Sequence, residues 1–453
     1  MTLRKSICTS RPVSHTARKT ISASHASDED GSDHDSDESL SSNEPAAIDN
    51  NCKNLYFIPD PNLRSDEVNM RRNVFYTEAL VCFTEMHLIH PARGHFAVLD
   101  PDVRLDDGEH MKRVLIDKWL LLVIEMHRKY SHYFDFKVIR WENFLSWLMK
   151  GDVEHPETGP CQGADIVLGA IDYTTEYVTN VNGITRQNYQ QFDEKMDTFS
   201  RLIKVWPPIP FSRRGAFKLR RLQILDEIAT TITHTPRPAS SLWDGEGIPS
   251  GKVLKRTHSA YGKHVYLPSS PPPSVDELRG ACDLPGRQWI VQDWVPTLRQ
   301  LGEYKVYFIE KEVVWISVAR LGKDGGEWHT VDSHHQIRSL EHVAAMLQAG
   351  IIVDDYLFSM DPPQYSPMTS DLVLFARDTL EGLIARDRDH DGYSLLSEWC
   401  RMDIGIFEQG GMCSYFVNEV ETNIALGLFG EGCGAAVMDP LARLWSSLLG
   451  LSL

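Results

Sequence analysis

Arg401-Met402-Asp403-Ile404-Gly405-Ile406-Phe407, followed by Tyr415-Phe416-Val417-Asn418-Glu419-Val420-Glu421-Thr422-Asn423, is the stretch on which the reading of this chain turns. Both halves read as strands, Met402 to Phe407 and Cys413 to Val420. Alternate side chains of a strand share a face, so Glu419 and Glu421 point the same way while Val417 extends that face into the core. If the two strands pair as a hairpin, Asp403 approaches the two glutamates. The result is an oxygen-only cluster of the kind that holds Mg²⁺ together with water and nucleotide phosphates. Burying these carboxylates without a cation is costly, because they repel one another and each loses solvation. The competing reading is an edge strand whose glutamates face solvent.

Segments upstream favour the first reading. Val253-Leu254-Lys255-Arg256 is an apolar run ending in two positive charges, and it leads into Thr257-His258-Ser259-Ala260-Tyr261-Gly262, a small-residue loop whose N–H groups suit phosphate. Lys218 sits near the start of a helix whose apolar face is Leu219, Leu222, Leu225 and Ile228, an unfavourable place for a cation unless an anion comes close. A solvated lysine is the plain alternative for Lys218 or Lys255 taken alone. Trp289 to Val295 reads as a strand. Tyr304 to Ile309 and Val313 to Val318, split by Glu310-Lys311-Glu312, read as a β-hairpin that runs on to Arg320. Ser370-Asp371 starts a helix with the stripe Leu372, Phe375, Ala376, Leu380 and Leu383.

Length sets the outer frame. The 453 residues exceed what one core usually spans, so two or three structural units are expected. Hydrophobic residues at 42%, charged residues at 24% and a mean hydropathy of -0.29 exclude fibres and wholesale disorder. The 46 Lys and Arg against 63 Asp and Glu give a net charge of -17, which disfavours nucleic acid and anionic membrane as partners. No apolar stretch approaches the roughly 20 residues of a spanning helix. No apolar core follows the basic N-terminal residues, so a secretory signal is not read and an intracellular, cytoplasmic location is expected, with a transit peptide as the weaker alternative. The eight cysteines are scattered without a C-x-x-C pair and are expected as reduced thiols, mostly in the core.

Residues 1–50 read as a disordered tail rich in Ser, Asp and Glu. Acidic neighbours suit phosphorylation of Ser32, Ser36 or Ser39, although a passive solvated tail is the favoured reading. Residues 51–210 mix short apolar runs (His95 to Leu99, Phe136 to Ile139, Ile166 to Ile171, Leu202 to Trp206) with an expected helix from Leu115 to Tyr130, which indicates an α/β domain. The break Trp206-Pro207-Pro208-Ile209-Pro210 separates it from residues 211–453.

Taken in order, the segments from Lys218 to Asn423 resemble the ATP-grasp superfamily, particularly its carboxylate–amine ligases such as D-alanine–D-alanine ligase, glutathione synthetase and the ribosomal-protein glutamate ligases. The resemblance implies an α+β ATP-grasp domain of two subdomains behind the α/β N-terminal domain. Lys218 matches the lysine that opens the linking helix, and Thr233-His234-Thr235-Pro236 matches the Thr-Pro step after it. Lys255 matches the second ATP lysine, with Ser259 and Gly262 in the flexible phosphate loop. Gln292 to Val295 fall at the hinge strand that contacts adenine, largely through the backbone at Trp294 or Val295, and Glu303 matches the acid near the ribose. Lys305 lies where many members have arginine. Arg320 matches an arginine that reaches the phosphates, Arg401 and Asp403 match the Arg-x-Asp strand, and Glu419 matches the metal-bridging glutamate. Glu421 stands where the family usually has asparagine, and Ile424-Ala425 replaces the usual Pro-Gly, with the loop Gly427 to Gly434 as its substitute.

The implied activity is ATP-dependent ligation of a small-molecule or peptide carboxylate to an amine through an acyl phosphate. ATP and Mg²⁺, or Mn²⁺, are the implied cofactors. Asp403, Glu419 and Glu421 are the metal candidates; Lys218, Lys255, Arg320 and Arg401 the phosphate candidates, with Lys305 after them. The alternatives are an ATP-dependent kinase and a catalytically weak or inactive ATP-binding module acting through partners. A calcium sensor ranks last: Asp387 to Glu398 matches the EF-hand spacing, but Ser394 replaces its apolar eighth residue and a strand follows. His329, His334 and His335 read as a polar loop.

Overall fold

The computed structural model describes residues 53–58, 65–69, 98–104, 110–117, 126, 129–130, 132–139, 141–151, 153–169, 184–185, 187–216, 218–247, 250–257, 265–268, 273–280, 288–321, 328–332, 339–349, 370–388, 392–422 and 433–451. Residues 49–453 form one compact unit. The expected acidic tail lies outside the described residues.

In chain order the first part runs β1 (Lys53–Ile58), β2 (Ser65–Asn69), β3 (Val98–Arg104), β4 (His110–Asp117), β5 (Phe134–Val138), α1 (Trp141–Lys150), β6 (Ile166–Gly169), α2 (Tyr189–Leu202) and β7 (Val205–Trp206). Strands β5-β1-β6-β7 form a parallel sheet, and β2-β4-β3 a separate antiparallel one. Parallel strands require crossovers that cover the sheet. Helices α1 and α2 supply such cover, burying Phe144 and Leu148 with Phe192, Met196 and Phe199. The helix expected from Leu115 to Tyr130 is corrected at its start. Leu115, Ile116 and Asp117 continue β4, paired with Glu67, Asp66 and Ser65, and helix is described only at Met126, Lys129 and Tyr130. A short apolar run has no period of its own to separate strand from helix, and here a partner strand decides.

The second part begins with α3 (Ile209–Ala216), where the sequence predicts a junction, and α4 (Lys218–Ile228), which ends in a π-helical turn, Ala229–Thr233. It continues through β8 (Ser240–Leu242), β9 (Lys252–Arg256), β10 (Val265–Tyr266), α5 (Val275–Gly280), β11 (Trp289–Asp293), α6 (Pro296–Leu301), β12 (Glu303–Ile309), β13 (Glu312–Leu321), β14 (Trp328–Asp332), α7 (Leu340–Gln348), α8 (Asp371–Asp387), β15 (Trp399–Gln409), β16 (Met412–Glu421) and α9 (Cys433–Leu449). A four-stranded antiparallel sheet, β10-β9-β11-β8, accompanies a five-stranded one, β14-β13-β12-β15-β16. Beneath the larger sheet, Val306, Phe308, Met402, Ile404 and Val417 pack with Leu222, Leu225 and Ile228 of α4 and with the α8 stripe Leu372, Ala376, Leu380 and Leu383. Ser370 caps α8 by accepting from the Val373 N–H, as its place before the apolar stripe predicts.

The hairpin β15–β16 turns on Gly410 and Gly411, with φ of 62° and 84°. Two successive left-handed residues suit a two-residue hairpin, and glycine adopts that conformation without a Cβ penalty. This turn sets the register of the strands that carry the carboxylates.

Helix α9 returns to the parallel sheet. Trp445 is fully buried, its ring 6.3 Å from Phe136 and 6.2 Å from Trp206, and Trp206 lies 6.3 Å from Trp399 at the start of β15. The last helix therefore joins sheets built from distant parts of the chain. Trp445→Ala is expected to cost about 3–5 kcal/mol, read as a lowered urea midpoint at unchanged slope. Cys161 and Cys400 are buried free thiols, pushed up to about 12 by burial, which suits core packing and not nucleophilic chemistry. Among the described residues no helix is long and apolar enough to cross a membrane.

Candidate functional site

Register places the charged residues in rows. Lys305 of β12 lies opposite Asp403 of β15, which lies opposite Glu419 of β16; in the next row Tyr307 lies opposite Arg401, and Arg401 opposite Glu421. Residues opposite one another in a ladder share a face, so all six project from the face opposite Val306, Phe308, Met402 and Ile404. Glu303, two residues before Lys305, joins them.

A bulge adds one residue more. The β15–β16 register shifts between Asp403, opposite Glu419, and Ile404, opposite Val417, which leaves Asn418 as an extra residue. Strict alternation would turn Asn418 away from Glu419, but a bulge re-aims side chains locally. The Asn418 amide nitrogen donates to Glu303 Oε2 at 3.1 Å, and its oxygen accepts from Lys255 Nζ at 3.0 Å. Asn418 thus links both sheets within the site, a role that a reading by strand alternation misses.

The two lysines arrive from outside the carboxylate-bearing sheet. Lys218, the first residue of α4, has its backbone N–H donating to the Thr257 carbonyl at 3.2 Å, which ties the helix start to the end of β9. Its ammonium pairs with Glu419 Oε1 and stands 4.0 Å from Glu421 Oε1. Lys255 projects from β9 to Asn418. Lys218 and Lys255 therefore converge on the same end of β16.

Asp403 is held differently from the two glutamates. Its oxygens accept from Arg401 Nε at 2.6 Å and Nη2 at 2.8 Å, a bidentate fork, and from Lys305 Nζ at 2.9 Å. Lys305 also donates to Glu303 Oε1 at 3.0 Å. Among the described residues no three His, Cys, Asp or Glu side chains form a ready metal cage. Glu419 and Glu421 stand side by side, while Asp403 is taken up by its own cations.

Electrostatics separates these groups. Burial raises the cost of charge at every one of them. For Asp403 the burial penalty is overcome by Arg401 and Lys305, which hold its carboxyl below the usual range. Burial likewise opposes ionisation of Glu419, yet Lys218 and Lys255 bring it down to about 2. Burial and the Glu419 charge together push Glu421 up to about 8. Lys218 ends above the ordinary lysine range, because Glu419 and Glu421 outweigh its burial. Lys255 ends below it, because its burial outweighs the attraction of Glu419.

The Glu421 shift has a sign that can be tested. A carboxyl raised from an unfolded value of about 4.3 to about 8 binds its proton more tightly in the native state. Its contribution to stability is full below the unfolded value and is lost as pH rises through the folded one. Without divalent cations, the wild-type urea midpoint is expected to fall across that window more steeply than that of Glu421→Gln. Parallel pH profiles of the two proteins would refute the assignment.

The remaining sequence-derived residues lie on other elements or outside the described residues. Gln292 of β11 alternates with Ile290, and Ile290 lies opposite Lys255, so Gln292 shares the Lys255 face of the smaller sheet. It is 2% exposed, and its amide nitrogen has no hydrogen-bond partner among the described residues. Trp294 is half-buried and Val295 buried in the link from β11 to α6. Arg320 lies in β13 with its backbone opposite His329 of β14. Ser259, Gly262, Asn423, His334 and His335 lie outside the described residues. At the EF-hand-like segment, of which 389–391 lie outside the described residues, Asp387 accepts from Ser394 at 3.0 Å and Glu398 from Trp206 at 2.8 Å. Both terminal acids of that pattern thus have protein partners.

Two donors set against the site escape a reading by motif. Arg237 donates from Nε to the Val417 carbonyl at 2.9 Å, and Arg221 from Nη1 to the Val420 carbonyl at 2.8 Å.

No family profile matches this sequence, and no curated protein does. Several solved structures are similar to it. D-cycloserine synthetase DcsG matches with a TM-score of 0.44 and 17% identity, over 72% of this chain and 95% of that one. D-alanine–D-alanine ligase from Bacillus anthracis, complexed with ATP, matches with a TM-score of 0.39 and 10% identity, over 74% and 94%. A RimK domain protein ATP-grasp from Sphaerobacter thermophilus matches with a TM-score of 0.38 and 15% identity, over 72% and 95%. Likeness of this size says nothing of substrate or reaction.

Proposed function

We propose that the two antiparallel sheets are the subdomains of an ATP-grasp domain, and that the chain is an ATP-dependent carboxylate–amine ligase. The observation that carries this reading is the meeting of Lys218 and Lys255 with Glu419, Glu421 and Asn418 at one end of β16.

The donor set suits a metal–nucleotide complex. Two adjacent carboxylates of which one retains its proton have the charge to exchange that proton for a divalent cation, and oxygen ligands match Mg²⁺. Glu419 and Glu421 would hold the ion, with Asp403 as a third oxygen donor if its arginine fork turns toward phosphate. Lys255, whose burial is not fully offset by the acids around it, gains from a polyphosphate anion. Lys218 would leave Glu419 for a phosphate oxygen. The Gln292 amide nitrogen, without a partner among the described residues, offers a donor to a base edge, Trp294 and Val295 offer backbone groups beside it, and Glu303 offers acceptors to a ribose.

Bound Mg²⁺ supplies charge neutralisation at the phosphate oxygens. The chain supplies positioning: Lys218, Lys255 and Arg401 orient the phosphates, with Arg320, Ser259 and Gly262 proposed alongside them. A substrate carboxylate would attack the terminal phosphorus, breaking its bond to ADP and forming an acyl phosphate. An amine then attacks the acyl carbon, phosphate leaves with the bonding pair, and the amine proton passes to solvent. Such transfer depends on alignment and electrostatics more than on acid–base groups, consistent with the lack of histidine among the residues proposed here.

The test is an ADP-release screen over amino acids and small carboxylates paired with amines, with Glu419→Gln as control. Turnover that requires both an acid and an amine, and is lost in Glu419→Gln, supports ligation. A stable phosphorylated product without amine would instead indicate a kinase, and ATP binding without turnover on any acceptor a binding module.

A further inference from the structure

We propose that Arg237 and Arg221 are positioning residues that hold the bulged edge of β16, so that Asn418 and Glu419 both enter the site; this rests on the nucleotide reading above.

Strand β16 is at the edge of its sheet, with β15 on one side. Among the described residues its outward carbonyls have no strand to pair with, and burying them without partners is costly. In a regular antiparallel edge, outward carbonyls recur at every second residue, so any two are separated by an even number. The carbonyls that accept from Arg237 and Arg221 belong to Val417 and Val420, an odd spacing. One extra residue between them restores the parity, and Asn418 is that residue. The two arginines are therefore matched to the bulged form of the strand and mismatched to the regular one.

Their other bonds identify what they fix. Arg237 has a side chain only 4% exposed, donates from Nη1 to the Leu222 carbonyl at 3.1 Å and pairs with Asp226, both on α4. A single guanidinium thus fastens the helix that begins with Lys218 to the strand that carries Glu419. Arg221, one turn into α4, reaches Val420 and also approaches Thr422 Oγ1 at 3.4 Å, beyond the second glutamate. Loss of either donor frees β16 to slip toward regular pairing. By alternation that slip turns Asn418 or Glu419 to the opposite face. A planar fork reaching backbone and carboxylate together is a task for arginine that a point-like ammonium does not reproduce.

The test uses the full chain with Arg237→Gln, and with Arg221→Gln as a second variant should the first fail to fold. Two readouts are taken: amide hydrogen exchange over residues 412–421, and Mn²⁺ binding followed by the free-ion EPR signal with ATP present. Each variant is expected to exchange faster in β16 and to bind Mn²⁺ about tenfold more weakly, the scale at which outer-shell partners act on metal affinity. ATP affinity measured without a divalent cation is expected to stay close to wild type, a separation that general destabilisation would not produce. Faster exchange with unchanged Mn²⁺ affinity would make the arginines merely structural and overturn the inference. Unchanged exchange and unchanged Mn²⁺ affinity would overturn it while leaving the nucleotide reading intact. If the wild type binds neither ATP nor Mn²⁺, the nucleotide reading fails and takes with it the claim of positioning for a ligand.

Discussion

Arg401→Met is expected to destabilise the protein by about 3–5 kcal/mol, the cost of breaking one side of a buried ion pair. Asp403 is 3% exposed and holds the arginine through two of its three short bonds from cations. Removing the guanidinium leaves a buried carboxylate with Lys305 as its remaining cationic donor, while Glu303 competes for that lysine at 3.0 Å. Replacing both partners by apolar residues of similar volume, Arg401→Met with Asp403→Leu, is expected to recover much of the loss, because desolvation is then no longer charged to an unpaired ion. Equilibrium urea unfolding of the two variants makes the comparison. A single variant as stable as the wild type would show that Asp403 does not depend on the fork.

Glu419→Gln is expected to lower divalent-cation affinity in the presence of ATP by more than the roughly 100-fold that outer-shell partners can cost, because it removes a proposed direct ligand. The size of the effect follows from ionisation. Glu419 is brought down to about 2 by Lys218 and Lys255, so it carries a full charge at any working pH and the amide removes all of it. Folding is expected to suffer less than in Arg401→Met, since Lys218 keeps Glu421 within 4.0 Å. Metal titration and urea unfolding of the same preparation separate the two effects. Full divalent affinity in a folded Glu419→Gln protein would remove Glu419 from the proposed metal site.

Local periodicity made much of the second part legible. The pattern in Met402–Phe407 and Cys413–Val420 identifies two strands, and the observed pairing makes them a hairpin with Asp403 opposite Glu419. The α8 stripe and its Ser370 cap follow from helical spacing in the same way. Readings failed where one residue or a distant partner decides. Asn418 enters the site only because of a bulge, and alternation assigns it to the other face. Leu115–Asp117 is strand because β2 pairs with it, a fact absent from its own pattern. Arg221 and Arg237 bond to backbone carbonyls, which any residue provides, so no motif announces them. Trp445 meets Phe136 and Trp206 across long sequence separations, and composition near the C-terminus contains no hint of it. The resemblance points to Glu303 and Lys305 one by one, but their mutual pairing depends on strand alternation combined with Asp403 across the ladder.

In the proposed function, lysines from one sheet and from the helix before it meet carboxylates of the other around a metal–triphosphate. Calorimetric titration of ATP into the full chain, with Mg²⁺ and with chelator, tests it most directly when repeated on Lys218→Met/Lys255→Met. The expected result is binding that Mg²⁺ strengthens in the wild type and that the double substitution weakens severely. Affinity that is indifferent to both Mg²⁺ and the two lysines, or no binding at all, would contradict it.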